Sequence, residues 1–389
     1  KKKMAGPAEW LSERHMPPLS LAALEEIRDE CLADDLPILE SMSLWSEERV
    51  RTYFEDGGHD PELSAQPPSP PSPTPLPSAP PPPAPPPAPP PPQHRVGGSM
   101  YGMQLAECER LSTAVVVVRG LNPGFFTGPG TNTYIVGTAA ERVLIDAGDH
   151  GRADYVQLLG RALRNHCGGA RLSAVLVTHA HPDHVGGVRG VVAAHGAASG
   201  CAVRKVSWRG RGMGLDVTEV ADGDVVRVDG ATTLRALYMP GHAPDHVCWL
   251  LEEERALFSG DCVLGAGTVV IPRDGGDMEL YLRSLRRLAD SPADTIYPGH
   301  GPPIGGARAT ILEYIRHRSA REAAIETAVR AAPPPGVRVD ELVRALYRDK
   351  PLLSPELFAA ASETVHCHIV RMAAHGRVRS DGARNRWFR

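Results

Sequence analysis

LSAVLVTHAHPDH, residues 172–184, decides how the chain is read. LSAVLVT is the short, β-branched, apolar run of a buried strand. THAHPDH follows at once, with three histidines and an aspartate in seven residues. A loop after a strand is held in place by the sheet. In extended backbone His179 and His181 lie two apart and project to the same side, so both can reach one metal ion. Pro182 restricts the chain and helps it turn. Asp183 and His184 then face a second position as a helix begins at 184. Imidazole nitrogen and carboxylate oxygen are the usual ligands of zinc. Three histidines and an aspartate exceed what one tetrahedral ion with an open position needs, so the spacing predicts two ions.

Two ions need further ligands, and later strand ends offer them. YMPGHAPDH places His242 after a strand and a glycine, LFSGDCVLG places Asp261, and IYPGHGP places His300 between glycines. Glycine lets backbone approach an ion without a side-chain clash. Around these motifs, 113–119, 132–137, 142–148, 172–178, 232–239, 246–252 and 294–299 read as strands. Residues 151–165, 184–195 and 277–289 read as helices. Such alternation is an α/β domain, from about 98 to 332.

The flanks differ. Residues 67–92, PPSPPSPTPLPSAPPPPAPPPAPPPP, hold much of the chain's 38 prolines. Proline fixes the backbone near polyproline II and cannot build a core. Residues 61–97 are therefore expected to be a disordered spacer, which also fits a protein partner of SH3 or WW type. Residues 1–60 form a short segment with helical spacing over 20–55, where Ser20 and Ser46 fit as caps. Residues 333–389 read as two helices followed by a short wing around Asp381-Gly382, a small winged-helix module. In 336–389 ten Lys+Arg face six Asp+Glu, a net of +4 in a chain of net −4. Such a tail is either a nucleic-acid-binding module or a solvated cap on the catalytic domain.

Seven scattered cysteines without CxxC argue against a disulfide framework or a cysteine zinc site and fit an intracellular compartment. No apolar run of about 18 residues predicts a membrane span. The sequence starts at KKK rather than Met, which is compatible with a removed targeting peptide.

HxHxDH, followed by His242, Asp261 and His300 at strand ends and preceded by Asp146 in VLIDAGD, resembles the motif set of the metallo-β-lactamase superfamily. The likeness spans 98–332. It implies a four-layer αβ/βα sandwich with a dinuclear zinc site at one edge, two Zn²⁺ per chain. By that resemblance His179, His181 and His242 would bind the first ion, and Asp183, His184 and His300 the second. Asp261 would bridge them, making Asp183 and Asp261 the catalytic carboxylates of a hydrolase that uses a metal-bridging hydroxide. Asp146 would orient a ligand from behind. The ligand types favour zinc, but Mn²⁺ or Fe²⁺ suit a mixed N/O site too.

True β-lactamases of the best-known group carry a cysteine in place of Asp261 and an arginine in place of His184. Antibiotic hydrolysis is therefore not expected. The glyoxalase II pattern ends in GHEY where this chain has GHGP. LNPGFFTGPGTNTYIVG (121–137), FSGDCVLGAGT (258–268), IYPGHGPPI (296–304), IRHRSARE (315–322) and the basic tail are similar to a branch of the superfamily that consists of single-stranded RNA endoribonucleases associated with mitochondria. This chain departs from that branch at the non-ligand positions of HAHPDH. The resemblance implies an RNA partner and a mitochondrial matrix or cytoplasmic location. Cations for RNA would come from Arg371, Arg377, Arg379, Arg384 and Arg386, with Trp387 or Phe388 stacking on a base.

The LNP, GTNTY and GHGP features also resemble fungal polyketide thioesterases, which release acyl chains from a carrier protein; that is the alternative. A non-enzymatic scaffold with a vestigial site is the third reading, and the complete ligand set speaks against it. His246 reads as a residue behind the ligands, as a proton donor, or as structural. Asn132 and Tyr134 read equally well as site neighbours and as packing residues. His366 and His368 sit in a helical pattern where they would diverge, and read as non-ligands.

Overall fold

A computed structural model describes residues 95–96, 103, 105–197, 200–206, 217–348, 354–382 and 385–388. The helical reading of 20–55 and the proline-rich stretch lie outside these residues.

Seven strands form one sheet in sequential order: β3 (Cys108–Arg110), β4 (Val115–Arg119), β5 (Asn132–Val136), β6 (Glu141–Ile145), β7 (Arg171–Leu176), β8 (Ala202–Lys205) and β9 (Val217–Glu219). They follow a small ladder of β1 (Arg95–Val96) and β2 (Leu105–Ala106). Helix α1 (Ala153–Cys167) crosses from β6 to β7. The short α2 (Pro182–Val185) and α3 (Val188–His195) cross from β7 to β8. These crossovers make β6, β7 and β8 parallel, and β9 pairs with β8 parallel as well.

A second sheet orders β10 (Val225–Asp229), β11 (Thr232–Tyr238), β12 (Val247–Leu251), β13 (Ala256–Gly260), β14 (Thr295–Pro298) and β15 (Ile304–Gly305). Helix α4 (Met278–Ala289) joins β13 to β14, and α5 (Ala307–Ala331) follows β15.

The period of two along the strands sorts the core into layers. In β4, Val115 and Val117 point to the second sheet, while Val116 and Val118 point to α1 and α3. In β12, Val247, Trp249 and Leu251 point to the first sheet, and Cys248 and Leu250 point to α4 and α5. Both faces of both sheets are thus covered, which is why these strands read as unbroken apolar runs. The result is the four-layer αβ/βα sandwich.

The expected helix 184–195 is broken at Gly186-Gly187. Gly187 N bonds Gly148 O at 2.8 Å, and a Cβ on Gly187 would lie 2.0 Å from Ala147 O. The backbones of two loops touch there, and a continuous helix would not fit. Strands β3, β8, β9 and β10 were not expected. They are short or of mixed exposure, so they lack a strong alternating signal.

The tail holds α6 (Val339–Leu346), α7 (Pro355–Ala374) and a hairpin of β16 (Arg379–Ser380) with β17 (Trp387–Phe388). Helix α5 serves two cores. Ala307, Ile311 and Tyr314 pack under the second sheet, and Ile325 and Val329 join Leu342, Val343, Ile369 and Met372 in the tail. Among the described residues no helix is long and apolar enough to cross a membrane.

Candidate metal centre

Every candidate ligand sits just past the end of a strand. His179 to His184 follow β7, His242 follows β11, Asp261 follows β13 and His300 follows β14. The tertiary fold brings them into two groups: His179, His181, His242 and Asp261, and Asp183, His184 and His300.

In the first group His179 Nε2 lies 2.9 Å and His242 Nε2 3.0 Å from His181 Nδ1. His242 Nε2 is 3.6 Å from Asp261 Oδ2. In the second, His184 Nε2 and His300 Nε2 are 3.2 and 3.3 Å from Asp183 Oδ2, and each is 3.4 Å from Asp261 Oδ1. Asp261 therefore faces one group with each oxygen. Ligands about 2.0–2.1 Å from a tetrahedral ion would stand roughly 3.3 Å apart. The inward atoms have that spacing.

The outer ring nitrogens are held, which fixes where the inner ones point. His184 Nδ1 pairs with Asp146 Oδ2 at 2.7 Å, and His242 Nδ1 with Val270 O at 2.9 Å. His179 Nδ1 meets Thr178 Oγ1 at 3.0 Å, and that hydroxyl donates to Asp146 Oδ2 at 2.9 Å. Asp146 also accepts from Thr178 N at 2.8 Å. It thus holds His184 directly and His179 through Thr178. It touches neither group's interior, so it stands behind the ligands.

His184 Nε2 and Asp261 Oδ1 are buried without a hydrogen-bond partner. Burial works against charge on His184, yet Asp183, Asp261 and Asp146 outweigh it and hold its pKa well above the usual histidine value. His300 is likewise raised, against burial, chiefly by Asp261. Positive charge is favoured where those rings and carboxylates meet. The first group behaves oppositely. Burial, then His181, pushes His242 down to about 3, and burial lowers His179 and His181. These rings stay neutral, which is the ligating form. Orphaned inward atoms, neutral imidazoles in the first group and converging buried carboxylates fit divalent cations.

His246 is fully buried. Its Nε2 accepts from Asp261 N at 3.1 Å, and its ring stacks on His179 at 4.9 Å. Burial lowers its pKa to about 3. It seats Asp261 and a histidine, and its lack of exposure removes the reading as a proton donor to a leaving group. Gly299 permits the approach: a Cβ there would lie 2.4 Å from Asp261 Oδ1.

Two polar residues were not singled out in the sequence. Thr131 Oγ1 donates to Asp183 Oδ2 at 2.8 Å, and Asn122 Nδ2 donates to Thr131 Oγ1 at 3.0 Å. The signal was present in LNP and GTNTY, but a single threonine or asparagine has no ligand spacing to reveal it. Asn132 Nδ2 donates to Pro298 O at 2.7 Å and Gly301 O at 2.9 Å, and Tyr134 Oη donates to Pro298 O at 2.7 Å. Both brace the loop that carries His300.

The tail arginines have other work. Arg371 pairs with Glu279 and Glu322 at 2.7 Å, and Arg377 pairs with Glu322 and Glu326. Arg386 bonds Gly336 O at 2.6 Å, and Trp387 is buried in the tail core. Carboxylates and packing thus already engage these four groups. Arg379 stays exposed on the hairpin, Phe388 is 37% exposed, and Arg384 lies outside the described residues. His368 is buried, with Nδ1 3.5 Å from Glu322, and neither it nor His366 belongs to the ligand groups.

Comparison with known proteins agrees with this geometry. The family model for the metallo-beta-lactamase superfamily matches residues 126–300. A beta-lactamase-like protein 2 homolog of Caenorhabditis elegans is 41% identical over 215 residues, covering 55% of this chain and 70% of that protein. The Drosophila melanogaster homolog is 34% identical over 280 residues, covering 69% and 91%. An atrochrysone carboxyl ACP thioesterase of Aspergillus fumigatus is 41% identical over 219 residues, covering 56% and 65%. Among solved structures, a beta-lactamase domain protein from Burkholderia ambifaria matches with a TM-score of 0.61 at 21% identity, covering 72% of this chain and 93% of that one. At that identity the likeness shows the fold alone.

Proposed function

The chain belongs to the metallo-beta-lactamase superfamily and is a metal-dependent hydrolase, and on that premise we propose that it is a dinuclear zinc enzyme that cleaves single-stranded RNA. The observation that carries the two-ion reading is Asp261, with one oxygen toward each ligand group. His179, His181 and His242 would hold one ion, Asp183, His184 and His300 the other, and Asp261 both. The chemistry that two bound ions supply is Lewis acidity, which makes a nucleophile of water and stabilises the attacking and leaving oxygens of a phosphodiester. The chain's own part is to hold this set rigid. Asp146 keeps Nε2 of His184 directed inward, and Thr131 fixes the rotamer of Asp183.

RNA as substrate is supported by the suitability of paired ions for phosphodiester displacement and by the resemblance of the 121–137 and 296–304 stretches to endoribonucleases. A mitochondrial or cytoplasmic location, and recognition of the proline-rich segment by another protein, belong to the same proposal. The second reading is thioester hydrolysis. It is favoured by the thioesterase-named relative at 41% identity. The ion pairs that occupy Arg371 and Arg377 also favour it, because they withdraw two cations from any RNA path. The test uses the full chain loaded with zinc. A quenched-fluorescent single-stranded RNA and a panel of acyl thioesters are assayed side by side, with His181→Ala as control. RNA cleavage that the variant loses supports the proposal. Thioester turnover with intact RNA replaces it.

A further inference from the structure

The segment 269–273 belongs to neither sheet, yet Val270 O is the group that orients His242. Backbone outside a ladder must be fixed by something else, and here two helices do it. From α5, Arg318 Nη2 donates to Val269 O at 2.5 Å. From α7, Thr364 Oγ1 accepts from Ile271 N at 3.2 Å and Glu363 Oε2 accepts from Arg273 N at 2.7 Å. Cys367 Sγ lies 3.4 Å from both Ile271 O and Pro272 O. Val269 and Ile271 are buried in the core that Cys367 joins, so Val270 is pinned from both sides.

The helix making these contacts is itself fastened to the catalytic domain. Arg371 reaches Glu279 on α4 and Glu322 on α5, and His375 Nε2 lies 3.1 Å from Glu279. The basic surplus of the tail is used here in docking.

We infer that the C-terminal helix α7 positions the first-ion ligand His242, through Glu363, Thr364 and the 269–273 segment. The tail is then part of the metal site's support. Glu363 and Thr364 are positioning residues: they touch neither ion nor substrate and act through Val270 O. If the segment is released, the imidazole of His242 is free to rotate, and the first ion loses affinity while the second keeps its ligands.

The inference rests on metal binding at the first group, and the experiment separates the two. Stepwise zinc affinities of the full chain are measured against a chromogenic chelator for wild type, Thr364→Val/Glu363→Ala and Thr364→Ser. Each is repeated in a His300→Ala background, which leaves the first group intact. The double variant is expected to bind the first zinc about tenfold more weakly, and Thr364→Ser, which keeps the hydroxyl, to match wild type. Circular dichroism and thermal melting check that the double variant is folded. A folded double variant with wild-type affinity for the first zinc would overturn the inference. Wild type that binds no zinc would instead refute the metal reading on which it rests.

Discussion

Replacing Asp146 with asparagine tests how the second ligand group is aimed. Asp146 sits in left-handed backbone, φ 56°, a region that asparagine tolerates better than most residues, so the change is close to isosteric and leaves the turn intact. In the native site Asp146 Oδ2 accepts from His184 Nδ1 and from Thr178 Oγ1, and Oδ1 accepts from Thr178 N. An amide cannot accept on both sides. With the amide oxygen facing Thr178 N, the NH₂ points at His184 Nδ1, which must then accept. The proton moves to Nε2, the atom that should ligate. With the amide reversed, the NH₂ opposes Thr178 N, and one buried donor is left unpaired at about 1–3 kcal/mol. The first orientation costs the ligating tautomer of His184, and the second costs a buried backbone hydrogen bond in the turn that holds the ligand loop. Loss of such a supporting partner typically weakens metal binding about 10- to 100-fold, roughly 1.4–2.7 kcal/mol. Zinc titration against a chromogenic chelator should show that loss in the second step, with the melting temperature checked alongside. Asp146→Asn with two zinc ions bound at wild-type affinity would refute the argument that Asp146 sets the tautomer of His184.

Gly299→Ala should lower zinc affinity at least tenfold, because its Cβ would sit 2.4 Å from Asp261 Oδ1 and 2.9 Å from His184 Cε1. Gly305→Ala, with open space around its Cβ, is the matched control in the same titration. Phe258, 1% exposed and in ring contact with Tyr134 and Tyr297, ties the two sheets together. Phe258→Ala should cost about 3–5 kcal/mol in urea unfolding, and a loss below 1 kcal/mol would mean that this layer is not close-packed. Burial opposes the charge of Glu322, but His368 and Arg371 outweigh it and hold its pKa at about 2 against an ordinary 4.5. Its contribution is therefore present above pH 4.5 and is lost as pH falls toward 2. Urea midpoints from pH 6 to pH 3 should show a smaller fall for Glu322→Gln than for wild type, and parallel curves would contradict the assignment.

The metal site was legible from residues 172–184 outward because its chemistry is local. A buried strand, a two-residue histidine spacing and a turning proline specify where ligands can point. The later His242, Asp261 and His300 repeat one context, a strand end beside glycine. The α/β layering was readable for the same reason, since strands buried on both faces leave unbroken apolar runs in VVVV and VCWLL. Short strands such as Val217–Glu219, exposed at every residue, left no such trace. The break at Gly186-Gly187 depends on a backbone contact with Ala147, about 40 residues earlier, and no local pattern records it.

The tail shows the limit most clearly. Its sequence establishes a basic, helical piece, because charge and period are properties of the residues themselves. Whether an arginine meets a phosphate or a glutamate depends on what lies across from it. Only the tertiary structure places Glu279, Glu322 and Glu326 opposite Arg371 and Arg377. The same holds for Thr131 against Asp183 and for Val270 against His242, pairs joined by chain segments 52 and 28 residues long. Ligand identity was set by side-chain chemistry, and ligand aim by partners that folding alone brings within reach.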